Sequence, residues 1–536
     1  MKRKLWIVFT VLLLSTTALL AVATRTWADF AHSSAVPLSY SWEPCSAVKP
    51  HLATSPDGHQ LAAVWVQETQ HNGSCRAGGF GAMRWATEES SYDGWASPFQ
   101  VFLNAYSTAC VNHIDVAVDE NNVAHVVATI QEPCDLNLTT STSLHYRACD
   151  LSGGEASCGE DITLASEDPQ STGFYLLEAA IAVSADGAPF VVYGRRQIEG
   201  TTLGSQIRAA RPSGDTWTTF LLSGGEKAYR PALTWARASN GTGYAHIVWE
   251  THDAVPDGHA SWTNGRVQYL RCTETGSCGN VRTFLAAGVY PRPAVAASGA
   301  PHDRVLIAWN RFDTLNGTAP CEEFGLYYYR SNDNGNTFIN SNIREVLSER
   351  IMESIFYGEA TYKYAGTEEG GEGGEEYFSY LRPAVAMDSA GLPVVAWQIP
   401  GNTYPYSDTY VITTTRVITW KSPEGLDWQT EGRWLFGESE STNHYLNPDL
   451  ALASRDYDPH GEHVVYMRQE WYNASSGEGY PVYRVAYSYN GTRYEAPTPI
   501  PTTDESLPAT PTATIPPNPY QSPNTIYLPV IMRART

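Results

Sequence analysis

One unit recurs seven times along this chain, and the fold must accommodate that repetition. Each copy opens on a polar residue, usually followed by proline. The openings are Lys49-Pro50, Asn112-His113, Glu178-Ala179, Arg230-Pro231, Arg292-Pro293, Arg382-Pro383 and Asn447-Pro448, spaced 52 to 90 residues apart. Alternating apolar residues follow, then a small-polar turn, then a second apolar run. The turns include Ser55-Pro56-Asp57-Gly58, Ser184-Ala185-Asp186-Gly187 and Asp388-Ser389-Ala390-Gly391, which are hairpin signals. The second runs end in Trp65, Ala128, Tyr193, Trp249, Trp309, Trp397 and Tyr466, so only the second copy lacks an aromatic there. A third strand-like segment follows in every copy (81–86, 143–149, 206–211, 267–272, 325–330, 415–421 and 482–489), and a weaker fourth comes after it.

A four-stranded antiparallel sheet of this kind cannot cover both of its faces alone. Radial packing around an axis lets each sheet cover its neighbour, which predicts an all-β chain folded as a seven-bladed β-propeller over residues 29–500. The aromatic that ends each second run then belongs to packing between blades. Two segments compete to complete the last blade: residues 494–500, or 36–42 from the N-terminal side. Composition agrees with a globular all-β chain. Aromatics make up 12% and charged residues only 17%, with 43 Gly and 33 Pro, a mix too aromatic for disorder and rich in turn formers. The formal charge of −22 argues against nucleic acid as a partner.

The two ends read as targeting and tethering segments. Lys2, Arg3 and Lys4 precede an apolar run over 5–23 that ends Ala21-Val22-Ala23. This predicts a secretory signal peptide within 1–28, cleaved after residue 23 or 28, with an uncleaved anchor as the alternative. Residues 501–524 are rich in Pro, Thr and Ser and read as an extended linker. The apolar tail 525–536 is too short to span a bilayer as a helix, and it resembles surface-retention tails of secreted bacterial proteins. The expected location is therefore outside the cell or on its surface after bacterial-type export, with the chain monomeric and any membrane contact made only through an uncleaved leader or the tail.

Nine cysteines in an exported chain point to disulfides. Cys45 and Cys75 flank the first two strands of copy one, and Cys110 and Cys134 occupy the same places in copy two. Cys149 and Cys158, like Cys272 and Cys278, flank a turn between strands three and four. Topology makes these four pairs the candidate bridges and leaves Cys321 over.

The segment Ser331-Asn332-Asp333-Asn334-Gly335-Asn336-Thr337-Phe338 resembles the Asp-box turn of sialidase-like propellers, with Phe in place of the usual Trp. Weaker cousins are Ser91-Tyr92-Asp93-Gly94 and Ser488-Tyr489-Asn490-Gly491. The resemblance implies a β-propeller with the turn between strands three and four, away from the active face. It also makes six blades, the number in sialidases, the alternative count. The family's catalytic motifs have no match here, so its catalytic residues are not carried over.

Propellers present their ligands at the face where strand one begins. There Lys49, Arg230, Arg292 and Arg382 are candidates to bind a carboxylate or sulfate, because the guanidinium offers a fixed fork of donors. The alternative for each arginine is pairing with a neighbouring blade. Tyr229 and Tyr380 are candidate sugar platforms or inter-blade packing. Glu178, Glu250 and Asp253 are the carboxylates a glycoside hydrolase would draw on. The connections 67–80, 251–266, 311–324, 400–414 and 470–481 read as long irregular loops on that face. No cofactor is expected; the glutamates at 368, 369, 372, 375 and 376 match no calcium loop. The functional expectation is a sialidase-like propeller that binds a glycan or a surface protein. A glycoside hydrolase of exo-sialidase type is the first alternative, and an adhesive or structural repeat protein is the second.

Overall fold

The computed structural model describes residues between 36 and 490. Short inter-strand stretches lie outside it, the longest being 86–94, 252–264, 314–322, 349–382, 422–431, 437–444 and 453–461. Asp253, Cys321, Tyr380, Arg382, the turn Ser91–Gly94 and the glutamate-rich segment 368–376 fall outside the described residues, as do both termini.

Seven four-stranded antiparallel sheets are described, one for each repeat copy. In the first, Ala47–Thr54, Gln60–His71, Ser74–Trp85 and Phe99–Phe102 pair in chain order. Blades 2 to 7 begin with first strands Cys110–Val118, Phe174–Val183, Ala228–Arg237, Ala294–Ser298, Ala384–Met387 and Tyr445–Leu452. These strands contact one another in a closed circuit, the seventh touching the first, so they line the axis of a β-propeller. Blade 2 gains an extra short pairing at Ser157–Cys158, and blade 6 carries a separate hairpin, Thr403–Tyr406 with Thr409–Ile412. One helical turn, Pro169–Thr172, joins blades 2 and 3. Asp168 accepts the Gln170 N–H at its start, and Gly173, at φ 74°, ends it.

Burial explains why the second strands read as continuous apolar runs. Val123–Glu132 is buried at every position but its ends, because a central strand is covered on both faces. First strands alternate instead, as in Ala47–Thr54. Six apolar clusters each straddle a blade junction: 1/2, 2/3, 3/4, 4/5, 6/7 and 7/1. Trp65, Trp249 and Trp309 are fully buried in them, as expected for wedges between blades. Burying such side chains contributes on the order of 3 kcal/mol each.

The N-terminal segment closes the ring. Val36–Pro37 pairs antiparallel with Gly479–Asn490, setting Val36 opposite Tyr487. Leu38 N–H donates to the Val485 carbonyl at 2.9 Å, and the buried Arg484 donates to the Cys45 carbonyl at 2.6 Å. Of the two segments competing for this place, the N-terminal one supplies a strand, Val36–Pro37, while 494–500 lies outside the described residues. Disulfides join Cys110 to Cys134, Cys149 to Cys158 and Cys272 to Cys278. Cys45 is disulfide-bonded as well, while the Cys75 side chain lies outside the described residues.

Three of the expected loops hold paired strand, and the blade 6 hairpin Thr403–Tyr406 with Thr409–Ile412 lies within 400–414. In blade 1 the ladder runs from Gln67 opposite Gly78 out to His71 opposite Ser74. In blade 7 it runs out to Asn473 opposite Gly479. Gly, Asn and Ser punctuate these segments, yet the described backbone on either side stays paired. The connections therefore stand up as β-ribbons beyond the sheet.

Candidate functional site

In copies 1, 2, 3, 4 and 7 the opening residue sits at a local fault in the ladder. Register shifts fall between Val48 and His51, Val111 and His113, Leu176 and Ala179, Tyr229 and Ala232, and Leu446 and Asp449. An extra residue is accommodated at each, which is a β-bulge. Three of the residues proposed from sequence adopt left-handed backbone: Lys49 at φ 54°, Arg230 at 51° and Arg292 at 42°. Such a conformation costs a non-glycine residue on the order of 1–2 kcal/mol, so it persists only where surroundings hold it.

Side chains of neighbouring strands supply that hold. Lys49 Nζ donates to the Asn112 carbonyl in the next blade at 2.5 Å. Thr129 Oγ1 donates to the Leu177 carbonyl at 2.8 Å, from blade 2 to blade 3. Glu178 Oε2 accepts the Arg230 backbone N–H at 3.1 Å, and Glu250 Oε2 accepts that of Arg292 at 2.9 Å. The Arg230 guanidinium bonds Glu250 Oε1, and its Nε lies 3.7 Å from Glu178 Oε1. Glu178, Arg230, Glu250 and Arg292 thus form a charged chain across blades 3, 4 and 5.

Solvent access separates these groups. The Glu250 side chain is 0% exposed, with both oxygens engaged, while Glu178 keeps 23% and Arg230 15%. Arg292 is 5% exposed. Glu250 therefore orients its neighbours, and Glu178 is the carboxylate with an open side. Tyr229 is buried, with Arg196 stacked at 5.2 Å from its ring centroid. That placement is the packing alternative. Burial works against the Arg196 charge, but Tyr175 and Glu178 beside it outweigh this and raise its pKa.

Sequence reasoning missed two further elements of this region. Glu68, on the second strand of blade 1, accepts the Ser46 N–H at 3.2 Å. Burial pushes its carboxyl up, against the pull of that bond and of Lys49. On the first strands, His51 Nδ1 lies 3.1 Å from Asp115 Oδ1, and Asp115 Oδ2 accepts the Ile181 N–H at 2.9 Å. One carboxylate thereby ties blades 1, 2 and 3. The signal for Glu68 was its place three residues after Trp65, where blade 2 has Gln131 and blade 3 has Arg196. Among the described residues, no cluster of three or more His, Cys, Asp or Glu is arranged to hold a metal ion.

The Ser331–Phe338 turn lies between strands three and four of blade 5. Asp333 Oδ1 accepts the Thr337 N–H at 2.8 Å and the Ser331 hydroxyl at 2.7 Å, while Gly335 takes φ 75°. Partial burial acts to raise the Asp333 carboxyl, but the bonds from Thr337 and Ser331 prevail and hold it below its ordinary value.

No protein-family model and no curated protein matches this chain. Several solved structures are similar in fold. A Penicillium chrysogenum α-L-arabinanase is 11% identical, at TM-score 0.38, over 85% of this chain and 98% of its own. The NanB sialidase of Streptococcus pneumoniae is 9% identical, at TM-score 0.39, over 86% and 71%. A Fusarium graminearum α-L-arabinofuranosidase is 11% identical, at TM-score 0.42, over 85% and 97%.

Proposed function

We propose that this chain is an exported or surface-held β-propeller that binds a ligand, a glycan or a surface protein, on the face where the bulge residues and β-ribbons gather. The observation that carries the reading is the Glu178–Arg230–Glu250–Arg292 chain. Its buried carboxylate is spent on fixing two arginine backbones and one guanidinium, which preorganises polar groups rather than leaving a mobile acid. Glu178 and Arg230 retain open sides and are the groups assigned to contact the ligand, with Lys49 on the neighbouring arc. Bacterial-type export, a monomeric state and retention through the tail belong to the same proposal.

A hydrolase of exo-sialidase type is the second reading, favoured specifically by the partial exposure of Glu178 beside an arginine. It requires a proton donor and a nucleophile on opposite sides of a glycosidic bond. The mature chain on a glycan array, and in parallel against fluorogenic sialosides and aryl glycosides, separates the readings. Binding without turnover, weakened by Glu178→Gln, supports the first. Turnover abolished by Glu178→Gln replaces it with the second. Neither binding nor turnover leaves the adhesive repeat protein.

A further inference from the structure

Buried imidazoles recur at one place in the repeat. Three residues before the position that ends the second apolar run stand His125, His246 and His463, in blades 2, 4 and 7. The other copies have Ala62, Phe190, Leu306 and Val394 there. All three histidines are buried. Each Nδ1 meets the phenol oxygen of a tyrosine on the third strand of its own blade: Tyr146 at 2.8 Å, Tyr269 at 2.8 Å and Tyr487 at 2.7 Å. At the tyrosine's position blades 1, 3 and 6 have Gly81, Ala209 and Thr419. Histidine therefore never occurs without tyrosine, although blade 5 has Tyr328 with Leu306.

Each tyrosine also packs on an aromatic of the following blade. Ring centroids are 4.8 Å apart for Tyr146 and Trp217, and 5.0 Å for both Tyr269 with Phe338 and Tyr487 with Trp95. The histidine–tyrosine pairs thus stand at junctions 2/3, 4/5 and 7/1. A neutral imidazole offers one donor and one acceptor; a protonated one has two donors and a charge that burial does not tolerate.

We propose that these pairs are acid-sensitive latches: neutral imidazoles hold three blade junctions shut near neutral pH, and protonation loosens those junctions before the others. The groups around each histidine grade the response. His125 has Asp119 Oδ2 at 3.4 Å from Nε2, a carboxylate that accepts part of the new charge. Burial lowers its pKa and Asp119 opposes the shift. His246 faces the Arg271 cation and the Asn334 side chain, with Asp333 and Arg282 around its partner Tyr269. No carboxylate pairs with His246 among the described residues. Burial first, then Arg271, brings it down to about 3, against Asn334. His463 has Tyr487 at Nδ1 and Tyr489 opposite it in the ladder. Its junction is the one that Val36–Pro37 closes without a covalent bond from that strand.

Linkage sets the direction. His125 and His246, with depressed folded pKa values, stabilise the fold fully above their unfolded value of about 6.5. That stability drains away as pH falls from there toward the folded value. The latches are independent of the ligand proposed above.

Hydrogen exchange of the mature chain at pH 7.5 and 5.0, corrected for intrinsic rates, tests them. Peptides from the second and third strands of blades 2, 4 and 7 should lose protection at least about tenfold more than those of blade 6, which borders no latch. Uniform loss, or earlier loss in blade 6, overturns the proposal. A chain with His125→Gln, His246→Gln and His463→Gln should show a flatter dependence of Tm on pH between 7.5 and 5.0. A curve parallel to that of the unaltered chain also overturns it. The exchange measurement needs no variant, so it decides the matter even where the triple substitution fails to fold.

Discussion

Glu250 shows how one side chain organises a strained arc. With no exposed surface, it bonds the backbone of Arg292 and the guanidinium of Arg230, and both arginines have left-handed φ. Replacement by alanine leaves a partly buried cation and a buried N–H without this partner. Glu250→Ala should cost about 3–5 kcal/mol in urea unfolding, far more than a surface glutamate. The opening residues of the copies were legible from their polar-Pro pattern, and their gathering on the innermost strands follows from the repeat. Their partners were not legible, because which atom of Glu178 or Thr129 meets which backbone group depends on the stagger between blades. The histidine–tyrosine pairs were legible in principle, through a three-residue offset from Ala128, Trp249 and Tyr466. A search for surface chemistry passes over them because they are buried.

At the scale of elements, the Ser331–Phe338 turn shows what its residue types are for. A Cβ built on Gly335 would stand 1.8 Å from Tyr269 Oη, and its φ is +75°. Gly335→Ala should destabilise by at least about 1–3 kcal/mol and displace the Tyr269–Phe338 contact, visible as altered near-UV circular dichroism. Asp333→Asn should cost about 1 kcal/mol, because the Thr337 and Ser331 bonds lose a charged acceptor. The depressed carboxyl sets the sign of its pH dependence. The advantage of the aspartate over the asparagine variant is complete above about pH 4 and shrinks as pH falls through the folded value, so denaturant midpoints of the two chains converge in strong acid. Sequence anticipated the place of this turn between strands three and four, the Asp333 bonds within it and the positive φ of Gly335, because those features are local. It failed at the 67–80, 400–414 and 470–481 connections, where pairing across two strands overrides local turn composition.

For the whole molecule, periodicity was sufficient to anticipate sheets packed in a ring, since every copy repeats the same apolar alternation. Closure was not legible: residues 36–42 and 494–500 have comparable strand character, and only the ring geometry selects between them. A chain beginning at residue 40 should lose about 3 kcal/mol, from the burial of Leu38 and the bonds to Val485. Its urea midpoint should fall, and proteolysis should cut first within Tyr445–Leu452, Glu462–Asn473 or Gly479–Asn490.

The pairing of Val36 with Tyr487 also imposes an order of events. The early segment Val36–Pro37 must wait for a partner made after the six preceding sheets. Six sheets are able to assemble as they appear, but the circle is completed only when the strand Gly479–Asn490 has been made. During that interval the unpaired edge of the growing arc is open to strands of other molecules, so chaperone demand should peak just before Gly479–Asn490 appears rather than at the start.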